Sequence, residues 1–219
     1  MFDIPIEGPA LFTLAFGDIV DYFSPYTLIL FIFAALFIAL AILSRPEQHT
    51  DIIFGTDGVY TKGIPADQQK FQRFMAIACG LAAMGAVVSG DIFNFCIFTS
   101  MVGLTCIGIV ASSQSRHVLN AAFEYGIVTM IAMIPLFGGA ALIAATTGTL
   151  SIWELAKDTI TVPFAAKTFL LLGVMGEGMA PFYVAKAEIT RAQGAPYILM
   201  IHVSSLLIFL RIIEIVITI

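Results

Sequence analysis

Six runs of mostly apolar residues, each about 20 residues long, decide what this chain can fold into. They cover approximately residues 26–44, 71–89, 91–112, 119–146, 164–185 and 196–217. Each run is long enough for an α-helix to cross the hydrocarbon core of a bilayer. Charged residues make up only 11% of the chain, against roughly a quarter in soluble domains. The sequence therefore predicts an all-α integral membrane protein with about six transmembrane helices.

The apolar runs divide the chain into three predicted parts. Residues 1–25 form an N-terminal segment in which 9–22 are too short and too acidic to span, so this stretch is predicted to be interfacial or re-entrant. Residues 26–70 supply a leading transmembrane helix and a cytoplasmic loop, with Ser24 as the N-cap and Pro25 as the first helical residue. Residues 71–219 form a five-helix membrane domain.

The distribution of basic residues predicts the orientation. Loops 45–70, 113–118 and 186–195, with the adjoining helix start, hold seven of them: Arg45, Lys62, Lys70, Arg73, Arg116, Lys186 and Arg191. By the positive-inside rule this side is cytoplasmic and both termini lie outside. The polar stretch 56–65 is either a docking loop for a cytoplasmic partner or a plain connector.

The charge balance and the cysteines exclude two classes of function. With a net charge of -5 the chain has no basic surface for nucleic acid. Its three cysteines, Cys79, Cys96 and Cys106, lie in apolar runs without a CxxC spacing or clustered histidines, so they predict neither a zinc nor an iron–sulfur site. We therefore expect no metal, no cofactor and no catalytic residue in this chain.

Glu177 is the strongest candidate for an ion-translocating residue. It lies in the fifth run between Gly176 and Gly178, with Pro181 four residues further on. Glycine and proline predict a helix break beside the carboxylate, and Pro135 predicts a bend in the fourth run. Ionisable groups at membrane depth are functional by default. The alternative is a structural carboxylate that is hydrogen-bonded to a neighbouring helix.

Other charged or titratable residues in the apolar runs have two open interpretations each. Lys167 and Glu124 either belong to the ion path or extend to the membrane surface. His202 can transfer protons near neutral pH. Arg211 and Glu214 can pair on one helix face, either in the path or as an interhelical anchor. Because His202 and Arg211 lie nine residues apart, a straight helix points them in opposite directions, and we favour His202 for the path.

Residues 90–98 lie where one apolar run ends and the next begins, with no room for a loop between them. Their sequence is Gly-Asp-Ile-Phe-Asn-Phe-Cys-Ile-Phe. Its Asp91 and Asn94 are costly at such a place, and indicate an ion path or an interface. The run resembles the Gly-Asp-Leu-Phe-Asn-Leu-Tyr-Val-Phe motif of the antiporter-like membrane subunits of Mrp cation/proton antiporters, respiratory complex I and energy-converting hydrogenases. Residues 121–125, 147–150 and 181–183 and His202 follow in the order that this family shows.

The resemblance covers about residues 70–212 and implies one five-helix antiporter-like repeat with broken helices. Members of the family carry a second, inverted repeat, so this chain resembles a truncated, single-repeat member, most similar to the short antiporter-like subunit of energy-converting hydrogenase A. The resemblance implies that this chain is a membrane subunit of a multisubunit nickel–iron hydrogenase. In that role it contributes to proton or sodium translocation coupled to ferredoxin reduction. Other membrane subunits, cytoplasmic hydrophilic hydrogenase subunits and lipid are the implied partners, and the nickel–iron centre and iron–sulfur clusters belong to those partner subunits.

The chain departs from the family pattern at three positions. Ser100 stands where the family has a glutamate, Gly176 where it has a lysine, and Glu124 where it has another lysine. The predicted ion path comprises Glu177, His202, Arg211, Glu124, Lys167 and Asp91. Two other functions stay open: a non-conducting assembly subunit of the same kind of complex, and a secondary carrier for a small solute, which normally needs a paired repeat.

Overall fold

Seven helices make up most of the described part of the protein. The computed structural model describes residues 3–4, 8–9, 11–16, 19–44, 49–54, 58–63, 65–112, 116–157, 160–178 and 195–219. The helices are α1 (Pro25–Leu43), α2 (Ala66–Val88), α3 (Ile92–Ala111), α4 (Arg116–Thr147), α5 (Ile152–Leu155), α6 (Phe164–Gly178) and α7 (Ala195–Thr218).

The membrane-spanning pattern is confirmed. Helices α1, α2, α3, α4 and α7 are long and apolar enough to cross a bilayer, and α6 is a shorter apolar helix over the residues described. Their bounds agree with the predicted runs to within about five residues at each end that the structure describes. The protein is therefore a multi-pass, all-α membrane protein.

The start of α1 follows the predicted capping chemistry. The Ser24 hydroxyl accepts a hydrogen bond from the Thr27 amide at 3.1 Å, and the Ser24 amide donates to the Thr27 hydroxyl at 2.9 Å. Pro25 occupies the first helical position, where its missing N–H costs nothing. These contacts satisfy backbone groups that lipid could not.

Helix contacts define two ends of the bundle. We call the end at which the 90–98 motif lies the motif end. There the Tyr26 hydroxyl at the start of α1 donates to the Leu210 carbonyl of α7 at 3.1 Å. At the opposite end, Arg73 of α2 donates to the Ser44 carbonyl at 2.9 Å and to the Tyr197 hydroxyl at 2.9 Å. Helices α2 and α7 thus run parallel to each other and antiparallel to α1. The end with Ser44 and Arg73 is the one that the basic loops predict to be cytoplasmic.

Three antiparallel strand pairs lie outside the membrane-length helices, and the apolar runs do not predict them. They are β1 (Asp3–Ile4) with β2 (Gly8–Pro9), β3 (Phe12–Phe16) with β4 (Ile19–Phe23), and β5 (His49–Phe54) with β6 (Gly58–Gly63). The second pair occupies the stretch predicted to be interfacial or re-entrant, and the third lies within the predicted cytoplasmic loop. Their location relative to a membrane surface stays a prediction.

Helix α4 continues through Pro135 and packs closely on α6. A Cβ atom built on Gly173 of α6 would lie 2.5–2.8 Å from Leu136 atoms of α4, two of them backbone. A Cβ on Gly139 of α4 would lie 3.0 Å from the Ala166 carbonyl oxygen and from Leu170 atoms of α6. The two helices therefore approach each other on small residues, as membrane helices commonly do.

Helices α2 and α3 meet at a pair of thiols. The sulfur atoms of Cys79 and Cys106 lie 3.8 Å apart, and both side chains are buried. A copper–phenanthroline oxidant that enters the membrane is expected to join them, with loss of two protons and two electrons, because a shift of about 2 Å brings the sulfurs to bonding distance. Peptide mass spectrometry of the oxidised full chain should show a Cys79–Cys106 disulfide.

Cys96 is the internal control for this cross-link. Its sulfur faces the Leu136 carbonyl of α4 at 3.8 Å, so it should remain a reduced thiol that reacts with an alkylating reagent after denaturation. A disulfide that includes Cys96, or three reduced thiols after oxidation, would contradict the α2–α3 packing described here.

Candidate functional site

Helix α7 carries four buried polar side chains at seven-residue intervals. They are Tyr197, Ser204, Arg211 and Thr218. Because seven residues make about two turns, these side chains share one face of the helix. We call this set the polar seam of α7.

The polar seam contacts α2 at three levels. Tyr197 bonds to Arg73 near the opposite end, as described above. The Ser204 hydroxyl lies 3.3 Å from the Cys79 thiol. Near the motif end, Arg211 Nη2 donates to the Ser89 carbonyl at 3.1 Å. Hydrogen bonds therefore join the two parallel helices along most of their length, a role that polar groups commonly have between membrane helices.

Arg211 and Glu214 form an ion pair inside the protein. Their side chains are 0% and 1% exposed, and Arg211 Nη1 donates to Glu214 Oε2. Ser89, which also accepts from Arg211, is the C-cap residue of α2, where backbone carbonyls lack helical partners and the helix dipole favours a cation. This geometry is that of the interhelical anchor, one of the two interpretations that the sequence left open. A part in ion movement stays a prediction for Arg211.

Asp91 is the N-cap of α3. Its carboxylate accepts from the amides of Phe93 at 2.8 Å and Asn94 at 3.0 Å. An anion at this position satisfies orphan amides and complements the helix dipole. The cost of placing Asp91 between two apolar helices is thus offset locally, and its role in the ion path stays a prediction.

Gly90, the residue before the N-cap Asp91, connects the start of α3 to the β3–β4 pair and to α5. The Gly90 amide donates to Asp21 Oδ1 of the β3–β4 pair at 2.7 Å, and the Gly90 carbonyl accepts from the Ile152 amide at 2.9 Å. The Ile92 amide in turn donates to the Leu150 carbonyl at 3.0 Å. These bonds satisfy non-helical backbone that would be costly near lipid.

Two members of the predicted path lie on α6. Glu177 and Gly178 belong to the last residues of α6 that the structure describes, and the side chain of Glu177 and all of Pro181 lie outside the described residues. The helix break at Gly176, Gly178 and Pro181 therefore stays a prediction. Lys167 is half-buried, one turn from the start of α6 at the motif end.

The other two lie on α4 and α7. Glu124 is exposed on the surface of the described bundle. His202 is half-buried, whereas Arg211 is fully buried. This difference in burial agrees with the nine-residue spacing, which places the two side chains on opposite faces of a continuous helix. The structure places Arg211 in an interior contact with α2, through the Ser89 carbonyl.

Two hydroxyl groups of α3 lie near the position where the family has a glutamate. The Ser100 hydroxyl donates to the Cys96 carbonyl of its own helix at 2.9 Å. The adjacent Thr99 hydroxyl is fully buried and has no hydrogen-bond partner among the described residues. Within that part of the chain, no three His, Cys, Asp or Glu side chains come together as a metal site requires.

A bundle of apolar helices with interior polar contacts and a capped helix junction defines a multi-pass membrane protein. Residues 1–219 match the family described as "NADH dehydrogenase I, subunit N related protein". The chain belongs to this family.

Individual proteins are also similar to this chain. An uncharacterised protein of Methanocaldococcus jannaschii is 44% identical over 215 residues, which is 98% of each chain. One component of a Na⁺/H⁺ antiporter of Alkalihalophilus pseudofirmus is 27% identical over 127 residues, 55% of this chain but 26% of the antiporter protein.

One solved structure shares the fold. It belongs to the membrane-bound sulfane sulfur reductase, an archaeal respiratory membrane complex, with a TM-score of 0.56 and 18% identity. The similarity covers 82% of this chain and 44% of that chain. This protein thus spans less than half the length of the larger chain that it resembles.

Proposed function

We propose that this protein is a membrane subunit of a multisubunit nickel–iron hydrogenase and contributes to proton or sodium translocation coupled to ferredoxin reduction. The observation that carries the translocation part is the fully buried Thr99 hydroxyl of α3, which has no hydrogen-bond partner among the described residues and lies at a depth similar to that of the Glu177 backbone. The hydrogenase part is supported by the resemblance of residues 70–212 to antiporter-like membrane subunits, among which a chain with one repeat is most similar to the short subunit of energy-converting hydrogenase A. Redox chemistry belongs to partner subunits in this proposal.

The depth of Glu177 supports a place in the path. Gly173 contacts Leu136 of α4, and the Cys96 sulfur lies 3.8 Å from the Leu136 carbonyl. Glu177 lies about 6 Å beyond Gly173 along α6, and Thr99 about 4.5 Å beyond Cys96 along α3. Both helices run from the motif end, so the backbone of Glu177 and the buried Thr99 hydroxyl have similar depths. A buried hydroxyl of this kind is a natural partner for internal water.

Replacing Glu177 with glutamine in the assembled complex tests the proposal. The substitution keeps the size of the side chain and removes its ability to exchange a proton, so hydrogenase activity driven by an ion gradient is expected to fall about tenfold or more. Hydrogen oxidation with an artificial electron acceptor, which needs no gradient, should be unchanged.

Glu154→Gln is the matched control. This carboxylate on α5 is exposed and accepts from the Thr149 hydroxyl at 2.6 Å, so its replacement should alter neither assay. Full gradient-driven activity of the Glu177→Gln complex, with normal subunit composition, would remove Glu177 from the path.

A non-conducting assembly subunit is the second candidate, and two contacts favour it. The Ser100 hydroxyl and the Asp91 carboxylate both bond to their own helix rather than facing an open path. In this case Glu177→Gln leaves coupling intact, whereas removal of the whole chain releases other membrane subunits from the complex. Subunit composition after mild detergent extraction distinguishes the two functions.

A further inference from the structure

A groove between α1 and α7 opens on the apolar surface of the bundle near the opposite end. It has a volume of about 300 Å³ and is lined by Phe37, Leu40, Leu43, Ser44 and Leu199. All but Ser44 are apolar, and Ser44 is the C-cap of α1. The groove thus has apolar walls and one polar end, which lies where the helix ends.

A cation is held at the polar end of the groove. Arg73 Nη2 donates to the Ser44 carbonyl, and Arg73 Nε donates to the Tyr197 hydroxyl, each at 2.9 Å. A guanidinium has five N–H donors, so these two bonds fix its plane and leave other donors for a ligand. Arg73 is half-buried, which strengthens its interaction with an anion compared with a fully solvated side chain.

We propose that this groove binds an anionic membrane lipid, with a hydrocarbon chain against Leu40 and Leu199 and the headgroup phosphate on Arg73. A planar guanidinium binds phosphate through paired, charge-assisted hydrogen bonds. Apolar walls on the outside of membrane-length helices meet lipid chains directly. The fixed cation distinguishes this site from ordinary lipid contact, because it selects the charge of the headgroup.

A peptide segment fits these features less well. Leu40 is 54% and Leu43 is 78% exposed, so the groove is open along its length to the hydrocarbon layer, where a peptide would leave its backbone groups unsatisfied. A lipid chain has no such groups. The charge on Arg73 also lies beside Ser44 at the end of α1, the depth at which headgroups meet water.

Native mass spectrometry of the full chain in mild detergent tests the site, with phosphatidylglycerol and phosphatidylcholine as matched anionic and zwitterionic probes. The wild-type protein is expected to retain phosphatidylglycerol at least about fivefold more strongly, and Arg73→Gln to abolish the preference. Lys70→Gln is the control: Lys70 lies three residues away on α2, 79% exposed and 3.6 Å from Asp67, and should preserve the preference.

The Leu199→Trp substitution tests the apolar part of the groove and leaves Arg73 and its hydrogen bonds unchanged. The larger side chain fills the apolar part, so retention of phosphatidylglycerol should fall while Arg73 stays in place. Equal retention of both lipids by the wild type, equal loss in Lys70→Gln and Arg73→Gln, or unchanged retention in Leu199→Trp would each overturn the proposal.

Discussion

Replacement of Glu214 by glutamine is expected to lower the free energy of unfolding by about 3–5 kcal/mol, the usual cost of removing one partner from a buried ion pair. The substitution keeps the shape of the side chain and leaves the Arg211 guanidinium charged and buried without its carboxylate. For a chain of this size the unfolding midpoint should fall by roughly 6–20 °C. Heating of the full chain in mild detergent, followed by helical circular dichroism, measures the change.

The protein contains a matched exposed pair for comparison. Asp67 and Lys70 have the same three-residue spacing on α2, but their side chains are 96% and 79% exposed and 3.6 Å apart. Asp67→Asn is expected to change the free energy of unfolding by no more than about 0.5 kcal/mol, because water screens such pairs. Similar destabilisation by both substitutions would show that burial does not decide the effect.

A double replacement separates the pair from its surroundings. Arg211→Met with Glu214→Met removes both charges and keeps apolar volume, so it should destabilise the protein less than Glu214→Gln alone. Some cost remains because the Ser89 carbonyl loses its donor. If the double variant is the less stable of the two, the charge on Arg211 is not the source of the loss.

The membrane helices are predictable because length and apolar composition determine them locally. Ser24 and Pro25 fix the start of α1 through capping chemistry that involves residues within a single turn. The polar seam is visible in the sequence only as a spacing: Tyr197, Ser204, Arg211 and Thr218 occur at intervals of seven, but nothing in α7 identifies α2 as its partner. Helix-to-helix contacts depend on packing, which the pattern of one helix does not specify.

The strand pairs show a different limit. Phe12–Phe16 and Ile19–Phe23 are rich in aromatic and β-branched residues and are separated by Gly-Asp, which is a usable hairpin signal. The acidity of 9–22 favours an interfacial segment instead, and that pattern conceals the hairpin. The bond from Gly90 to Asp21 joins residues 69 positions apart, so no local pattern reveals it.

The prediction for Asp91 depends on treating this charged residue by itself. Considered alone, Asp91 is a costly membrane charge, whereas in the structure two amides of the next turn reduce its cost. That outcome follows from N-cap chemistry, which the sequence Ser-Gly-Asp before an apolar run already permits. The preference for His202 over Arg211 in the ion path stays a prediction, because sequence alone does not reveal which face of a helix is buried.

The contact between α4 and α6 gives the second large effect, with opposite signs at two nearby glycines. Gly173→Ala is expected to destabilise the protein by about 1–3 kcal/mol, because the new Cβ would lie 2.5–2.8 Å from Leu136 backbone and Cβ atoms and would force the helices apart. Gly138→Ala should instead stabilise it by about 0.5–1 kcal/mol, the gain in helix propensity, since its new Cβ would meet a Phe169 ring atom at an ordinary 3.9 Å.

The same thermal measurement in detergent decides between close packing and a looser arrangement. A lower midpoint for Gly173→Ala and a higher one for Gly138→Ala require that α6 be fixed against α4 at Leu136, which also fixes the depth of Glu177 one turn further along. Equal stabilisation by both substitutions would mean that the helices do not touch there. The depth assigned to Glu177 would then lose its support, because the Gly173–Leu136 contact is what places α6 relative to α3.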